Sequence, residues 1–153
     1  MDSDSAVLIA AIAADREAMA KRLEALNDAV QRPQWETDAA VSDHVGTCIH
    51  HWYGGAEGIL ERLCRAFEGK LPAGDRWHNQ LLDQMALDLG ATRGPVIAGE
   101  TRDALRKVLA FRHFFRHAYA AEWEPELLEM AVGNLRRAAD LFDRDIDGFL
   151  GKF

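Results

Sequence analysis

Hydrophobic positions recur at three- and four-residue spacing along most of the chain. One such stripe of apolar side chains runs from Leu8 to Val30, and a second runs from Val41 to Phe67. This spacing places apolar residues on one face of an α-helix. Pro33 is predicted to end the first helix and Gly69 the second, because proline cannot continue a helix and glycine favours the position after its end.

A short third helix is predicted after a Leu-Pro-Ala-Gly turn. Its apolar positions are Leu81, Leu82, Met85 and Leu89. Asp75 is the expected N-cap, since its carboxylate can accept a hydrogen bond from the free N–H groups of the first turn. Gly90 is expected to stop the helix.

Two longer helices complete the pattern after a loop over residues 91–98. The fourth is predicted to start near Gly99 or Glu100 and to run to about Tyr119. The fifth opens at Pro125, a favoured first helical position, and continues through Phe149. Helices with one apolar stripe each bury it by packing against each other, so we predict an all-α, up-and-down bundle of four to five helices.

The composition agrees with this pattern. Ala and Leu contribute 25 and 17 residues, while Val, Ile and Thr together contribute 17, which favours helices over strands. A chain of 153 residues that is 48% hydrophobic can bury a substantial core. No composition shift, internal repeat or low-complexity tract divides the chain, so residues 1–153 are expected to form a single domain.

The apolar N-terminal run is not expected to be a signal peptide. Residues 6–14 follow Asp2 and Asp4 rather than the basic residues that precede such a signal. No run approaches the roughly 20 apolar residues of a membrane span. Cys48 and Cys64 lie far apart and outside any CxxC pattern. We therefore expect a cytoplasmic protein with reduced thiols and no membrane contact.

Charge is unevenly distributed along the chain. The 25 acidic and 18 basic side chains give a net charge of −7, which excludes a strong non-specific nucleic-acid binder. Between Arg102 and His117, however, five basic side chains meet one acid, so this window carries +4 and the rest of the chain −11. The fourth helix is thus predicted to carry a local cationic strip, and a dimer would place two such strips side by side.

Residues 111–119 of that helix combine arginines, histidines, phenylalanines and a tyrosine. A structural interpretation is open, because basic residues in the last turns of a helix favour its dipole. Arg112, however, shares a face with apolar Leu105 and Val108, so it should lie in a cleft or a subunit interface. His117 is about 140° away on an ideal helix. The two meet only if the helix distorts or a second copy supplies the partner.

The spacing Arg112-x4-His117-x-Tyr119 resembles the R-x4-H-x-Y signature of HepT-type toxins in the HEPN superfamily. His113 occupies the position where Asn, Asp or His commonly follows the arginine of HEPN ribonucleases. Residues 53–62 and 71–78 also look like the HepT-like subgroup. The resemblance covers roughly residues 40–150 and implies a HEPN-like helical domain.

The resemblance implies a metal-independent endoribonuclease toxin of a two-gene toxin–antitoxin pair, without a cofactor. Two protomers of a homodimer would form the composite site, and an RNA 2′-hydroxyl would attack the adjacent phosphate. His117 would act as general base or acid, and Arg112 would stabilise the charge on phosphorus. His113 would support them, and Arg116 and Lys107 would hold flanking phosphates.

The same resemblance implies a means of neutralisation and leaves alternatives open. The tyrosine corresponding to Tyr119 is AMPylated in that family by a nucleotidyltransferase antitoxin of the MntA type, which would add negative charge beside the cationic site. One alternative is a catalytically inactive HEPN interaction module that binds a nucleotidyltransferase partner. A nucleotide-binding HEPN relative has less support, since no nucleotide motif is present.

Two sequence patterns match only part of a metal-binding site. Asp143-x-Asp145-x-Asp147-Gly148 matches the first half of an EF-hand loop, but the sequence lacks the bidentate glutamate of such a loop. We expect an acidic, solvated end to the last helix instead. The histidine and cysteine spacing over residues 44–51 satisfies part of a metal-site pattern without a carboxylate. Solvent-facing or interface histidines are expected there, and no metal site.

Two further features are left open by the sequence. Gly54, Gly55 and Gly58 interrupt the second helix, each at a cost of about 1 kcal/mol relative to alanine. Close helix contact or a kink is the expected reason. Trp77 and His78 follow the Leu-Pro-Ala-Gly turn. Their spacing does not show whether they lie near the fourth helix, which carries Arg112, called the motif helix below.

Overall fold

The computed structural model describes residues 2–117 and 124–153, with side chains for all of these except residues 114–117. No strand occurs in the described ranges, and the predicted all-α class is confirmed. None of the described helices is long and apolar enough to cross a membrane. The five helices are α1 (Ser3–Ala29), α2 (Ala39–Glu68), α3 (Trp77–Met85), α4 (Gly99–His117) and α5 (Pro125–Leu150).

Short polar residues and glycine determine the ends of the first two helices. The Asp2 carboxylate accepts from the Ser5 amide at 2.7 Å and caps α1, and Asp38 caps α2 by accepting from two amides of its first turn. Gly69 follows α2 with a φ of +82°, in the left-handed region that favours glycine. The predicted stop at Gly69 is confirmed.

The third helix differs from its prediction at both ends. Arg76, rather than Asp75, precedes the first helical residue, and no side chain caps this end. The helix ends at Met85 instead of Gly90, because the Met85 carbonyl accepts from the amides of Val96 and Ile97 at 2.9 and 3.2 Å. Val96 and Ile97 are buried, so the loop after α3 folds back and contributes to the core.

The helices pack as a bundle around one contiguous hydrophobic core. Helix α1 packs most extensively on α2 and α4 on α5, while α2 also contacts α3, α4 and α5. Trp52 of α2 meets Phe142 of α5 edge to face, with ring centroids 6.1 Å apart. Side chains that are fully buried come from every helix, among them Ile12, Ile59, Leu82, Leu105 and Phe142.

The glycines of α2 have different environments. A Cβ at Gly55 would collide with the Met19 side chain of α1, so this glycine permits the close helix contact that the sequence predicted. At Gly54 and Gly58 a Cβ would meet nothing within 4 Å. Helix contact therefore explains Gly55 and does not explain the other two.

The acidic end of α5 is only partly solvated. Asp143 and Asp147 are largely exposed, as expected, but both accept from Arg16 of α1, at 3.3 and 2.7 Å. Asp145 is nearly buried and accepts from the Thr101 hydroxyl at 2.5 Å and from the backbone amide just before α4 at 2.9 Å. The expectation of a solvated end is wrong for Asp145, because it satisfies free donors at the start of α4.

Candidate active site

Helix α4 carries Arg112 on its inward face, as predicted from the spacing. Leu105 and Val108 on this face are buried, and the Arg112 side chain is 17% exposed. A guanidinium so largely removed from water is stable only with polar or charged partners around it.

Those partners come from one face of α2. The Nε group of Arg112 donates to His50 Nδ1 at 3.2 Å, and its Nη1 lies 3.7 Å from Glu57 Oε1. The guanidinium carbon lies 5.5 Å from the centre of the Tyr53 ring, within the range of a cation–π contact. Positions 50, 53 and 57 share a helix face. Among the described residues, helix α2 thus supplies three contacts to Arg112.

The Glu57 carboxylate also binds a residue of α3. Its second oxygen, Oε2, lies 2.7 Å from His78 Nδ1. A carboxylate in its ionised form can only accept, and in that form the hydrogen of this contact comes from Nδ1. The Trp77 ring lies against the His78 ring, with centroids 3.8 Å apart. Trp77 and His78 therefore do lie near the motif helix. We call Arg112, His50, Tyr53, Glu57 and His78 the Glu57 cluster.

Sequence analysis found Arg112 but gave Glu57 and His78 no role. The Glu57 side chain is only 7% exposed, although it is one of several acids on α2. Its position one turn after Tyr53 on a mostly apolar face was the available signal. His78 lies on a different helix, and its contact with the cluster depends on tertiary packing.

Tyr53 completes the base of the cluster. Its side chain is fully buried, and its hydroxyl has no hydrogen-bond partner among the described residues within normal geometry. Burial, and then the neighbouring Glu57 carboxylate, raise the pKa of Tyr53 well above its ordinary value. The phenol thus stays neutral, and Tyr53 acts as an aromatic surface beneath the arginine.

The cationic strip is less positive than its sequence suggests. Arg106 binds Asp83 of α3 at 2.5 Å and Asn79 at 3.2 Å, and Arg102 lies 3.9 Å from the same Asp83 carboxylate. Together with Glu57, Asp83 offsets two of the positive charges on α4. The +4 obtained along the chain is therefore an overestimate, because it omits carboxylates from neighbouring helices.

The other predicted site residues are dispersed or lie beyond what is described. Lys107 is exposed and lines a groove with α5, away from the Glu57 cluster. His113 is exposed on α4. Arg116 and His117 belong to the last turn of α4, but their side chains fall outside the described residues, and Tyr119 lies outside them entirely. The roles given to these three remain predictions.

The histidines and cysteine over residues 44–51 form no recognisable metal centre. His44 Nε2 lies 3.9 Å from Cys48 Sγ, and burial raises the pKa of that thiol. Within the described part of the chain, no three His, Cys, Asp or Glu side chains are grouped closely enough to hold a metal ion. Cys48 and Cys64 are both buried free thiols.

An all-helical bundle with the Arg112 and His117 positions on one helix is consistent with a HEPN-type protein. A family model described as HepT-like protein matches residues 44–153, so the chain belongs to the HepT-like family of the HEPN superfamily. The match begins within α2, continues through α5 and includes the whole Glu57 cluster. Searches of curated proteins and of solved structures gave no significant match.

Proposed function

We propose that this chain is the toxin of a cytoplasmic two-gene toxin–antitoxin pair and acts as a metal-independent endoribonuclease. Membership of the HepT-like family over residues 44–153 supports a toxin-like role. The observation that carries the proposal is the seat of Arg112. A largely buried motif arginine, held by His50 and Glu57 within the family-matched region, suits a preorganised phosphate-binding group.

The proposed reaction is transesterification within the RNA backbone. The 2′-oxygen bonds to phosphorus, the bond from phosphorus to the 5′-oxygen breaks, and the products end in a cyclic phosphate and a 5′-hydroxyl. His117 exchanges protons as base or acid near neutral pH. Arg112 stabilises the charge that develops on the phosphoryl oxygens, with His113 in support. Lys107 and Arg116 contact flanking phosphates.

The proposed composite site is built from two copies of the chain. His117 lies five positions after Arg112, which places it about 140° away around an ideal helix. Arg112 also points toward α2, where the Glu57 cluster holds it. A homodimer that brings two α4 helices together would let the histidine of one protomer complete the site of the other.

The proposed antitoxin is a nucleotidyltransferase of the MntA type that AMPylates Tyr119. Each AMP adds bulk and negative charge close to the motif, which repels RNA phosphates. Co-expression with such an enzyme should raise the intact mass of the chain by multiples of the AMP increment. Tyr119→Phe should prevent the first increment, and an unchanged mass of the wild type would contradict this mechanism.

One observation favours a second candidate, a non-catalytic HEPN module that binds a nucleotidyltransferase partner. Arg112 already has intramolecular partners in His50 and Glu57 and is mostly shielded from solvent. An arginine in this state can be a purely structural residue.

A cleavage assay separates the two candidates. Purified wild-type protein should cut RNA in the presence of EDTA and leave cyclic-phosphate and 5′-hydroxyl ends. His117→Ala should reduce cleavage by about 10²-fold or more, as expected for loss of a general acid or base. His44→Ala is the matched control, because His44 lies outside the Glu57 cluster. Equal behaviour of wild type and His117→Ala on several RNAs would favour the interaction module.

A further inference from the structure

We propose that His78 is a second acid–base residue of the RNA cleavage, the general acid that protonates the leaving 5′-oxygen. This inference rests on the proposed ribonuclease function and deepens it. It assigns a catalytic role to a residue outside the R-x4-H-x-Y motif. The assignment starts from the geometry of the imidazole.

A buried carboxylate orients the His78 ring. Glu57 Oε2 accepts from Nδ1 at 2.7 Å, and the Glu57 side chain is 7% exposed. The Trp77 ring, 3.8 Å away between centroids, covers the imidazole. A histidine whose Nδ1–H is held by a carboxylate presents its other nitrogen for proton exchange. This constraint fixes both the tautomer and the orientation of the ring.

The second nitrogen of His78 is accessible. Nε2 has no hydrogen-bond partner within the described ranges, and the side chain is 33% exposed. His78 can therefore exchange a proton with solvent or with a bound molecule. A histidine with a purely structural role is more commonly buried with both nitrogens engaged.

The same carboxylate holds the motif arginine. Glu57 Oε1 lies 3.7 Å from Arg112 Nη1, so Arg112 and His78 are anchored by the two oxygens of one side chain. Arg112 and His78 thus lie on either side of one carboxylate within a single protomer, and this shared contact is the basis for placing a phosphate held by Arg112 within reach of His78.

The proton transfers balance with two histidines. The 2′-hydroxyl proton passes to His117 as the bond from the 2′-oxygen to phosphorus forms. The bond to the 5′-oxygen then breaks, and His78 Nε2–H donates its proton to that oxygen. His117 afterwards releases its proton to water, and His78 takes one up. The hydrogen bond from Nδ1 to Glu57 persists in both states of His78.

The test compares two leaving groups in one oligonucleotide that carries the cleavage site mapped with the wild type. One version has the ordinary 5′-oxygen, and the other has sulfur at that bridging position, because a thiolate leaves without protonation. His78→Asn keeps an N–H that can reach Glu57 but cannot titrate. We expect it to lower cleavage of the oxygen linkage by about 10²–10⁴-fold and to leave the sulfur linkage within a few-fold of wild type.

His44→Asn is the matched control and should leave both rates unchanged. A second variant guards against misfolding: His78→Ala should regain cleavage of the oxygen linkage when free imidazole is added. Equal loss on both substrates by a folded His78→Asn protein, or no loss on either, would overturn the general-acid role while the ribonuclease function stands. Failure of the wild type to cut either substrate would overturn both.

Discussion

A buried ion pair connects the end of α2 to the loop between α3 and α4, and its removal gives a stability prediction that requires no substrate. The Arg93 side chain is 1% exposed, and its Nη2 donates to Glu68 Oε1 at 2.6 Å. The same guanidinium donates to the carbonyls of Gln84, Leu87 and Gly94 at 2.9–3.1 Å. Arg93 thus holds the loop that joins α3, which carries His78, to α4, which carries Arg112.

The expected magnitude follows from what the substitution leaves behind. Arg93→Met keeps an apolar stem but leaves the Glu68 carboxylate without its buried cation and removes the Arg93 donor from the carbonyls of Leu87 and Gly94. The Gln84 carbonyl still accepts from the Leu87 amide at 3.1 Å. Loss of one member of a buried pair costs about 3–5 kcal/mol of unfolding free energy. The pair is imperfectly satisfied, since Glu68 Oε2 and Arg93 Nε are buried and have no hydrogen-bond partner among the described residues. We therefore expect the lower half of that range.

The imperfect pairing also predicts how a double substitution behaves. Replacing both charges, in Arg93→Met with Glu68→Met, removes the uncompensated carboxylate and should recover at least half of the loss. The measurement is urea unfolding followed by circular dichroism for the wild type, both single variants and the double variant. A loss below about 1 kcal/mol in Arg93→Met, or a double variant as unstable as the sum of the singles, would refute this reasoning.

Three further predictions concern packing, pH and the site. Gly55→Ala should destabilise the fold by about 1–3 kcal/mol through its clash with α1, whereas Gly133→Ala, with open space in α5, should stabilise it by up to about 1 kcal/mol, both read by urea unfolding. Arg16 holds the pKa of Asp147 below its usual range, so this contact stabilises the fold at neutral pH and is lost on acidification. The stability difference between wild type and Asp147→Asn should therefore shrink as the pH falls below the ordinary aspartate pKa of about 3.9. Glu57→Gln should lower RNA cleavage by at least about tenfold, because it removes the negative charge that faces both partners and replaces one of the two acceptor oxygens with a donor, and an unchanged rate would show that the Glu57 carboxylate positions neither.

The helices were predictable because their signals are local. Apolar spacing and the glycine at position 69 determine where α2 runs and ends, and the structure agrees. The end of α3 was not predictable in this way. Met85 is the last residue of that helix because its carbonyl bonds to Val96 and Ile97, and this contact exists only after the loop has folded back.

The residues of the candidate site also differ in whether a local sequence signal identifies them. Arg112 could be identified because a charge on an apolar helix face conflicts with its surroundings within a single helix. Glu57 has a weaker local signal, its position one turn after Tyr53 on a mostly apolar face, and its contacts with Arg112 and His78 depend on how three helices pack. The charge of the α4 strip was overestimated for a related reason: Asp83 reaches Arg106 from another helix, and a count along the chain omits it.

The packing of α1 has a consequence for how the family match should be understood. The match begins at residue 44, yet α1 lies before it and fills the core with Ile12 and Leu26, neither of which is exposed. A fragment restricted to the matched residues would present the apolar flank of α2 to water and would tend to aggregate. The segment that the family model matches is therefore smaller than the packed bundle, whose core includes side chains of α1.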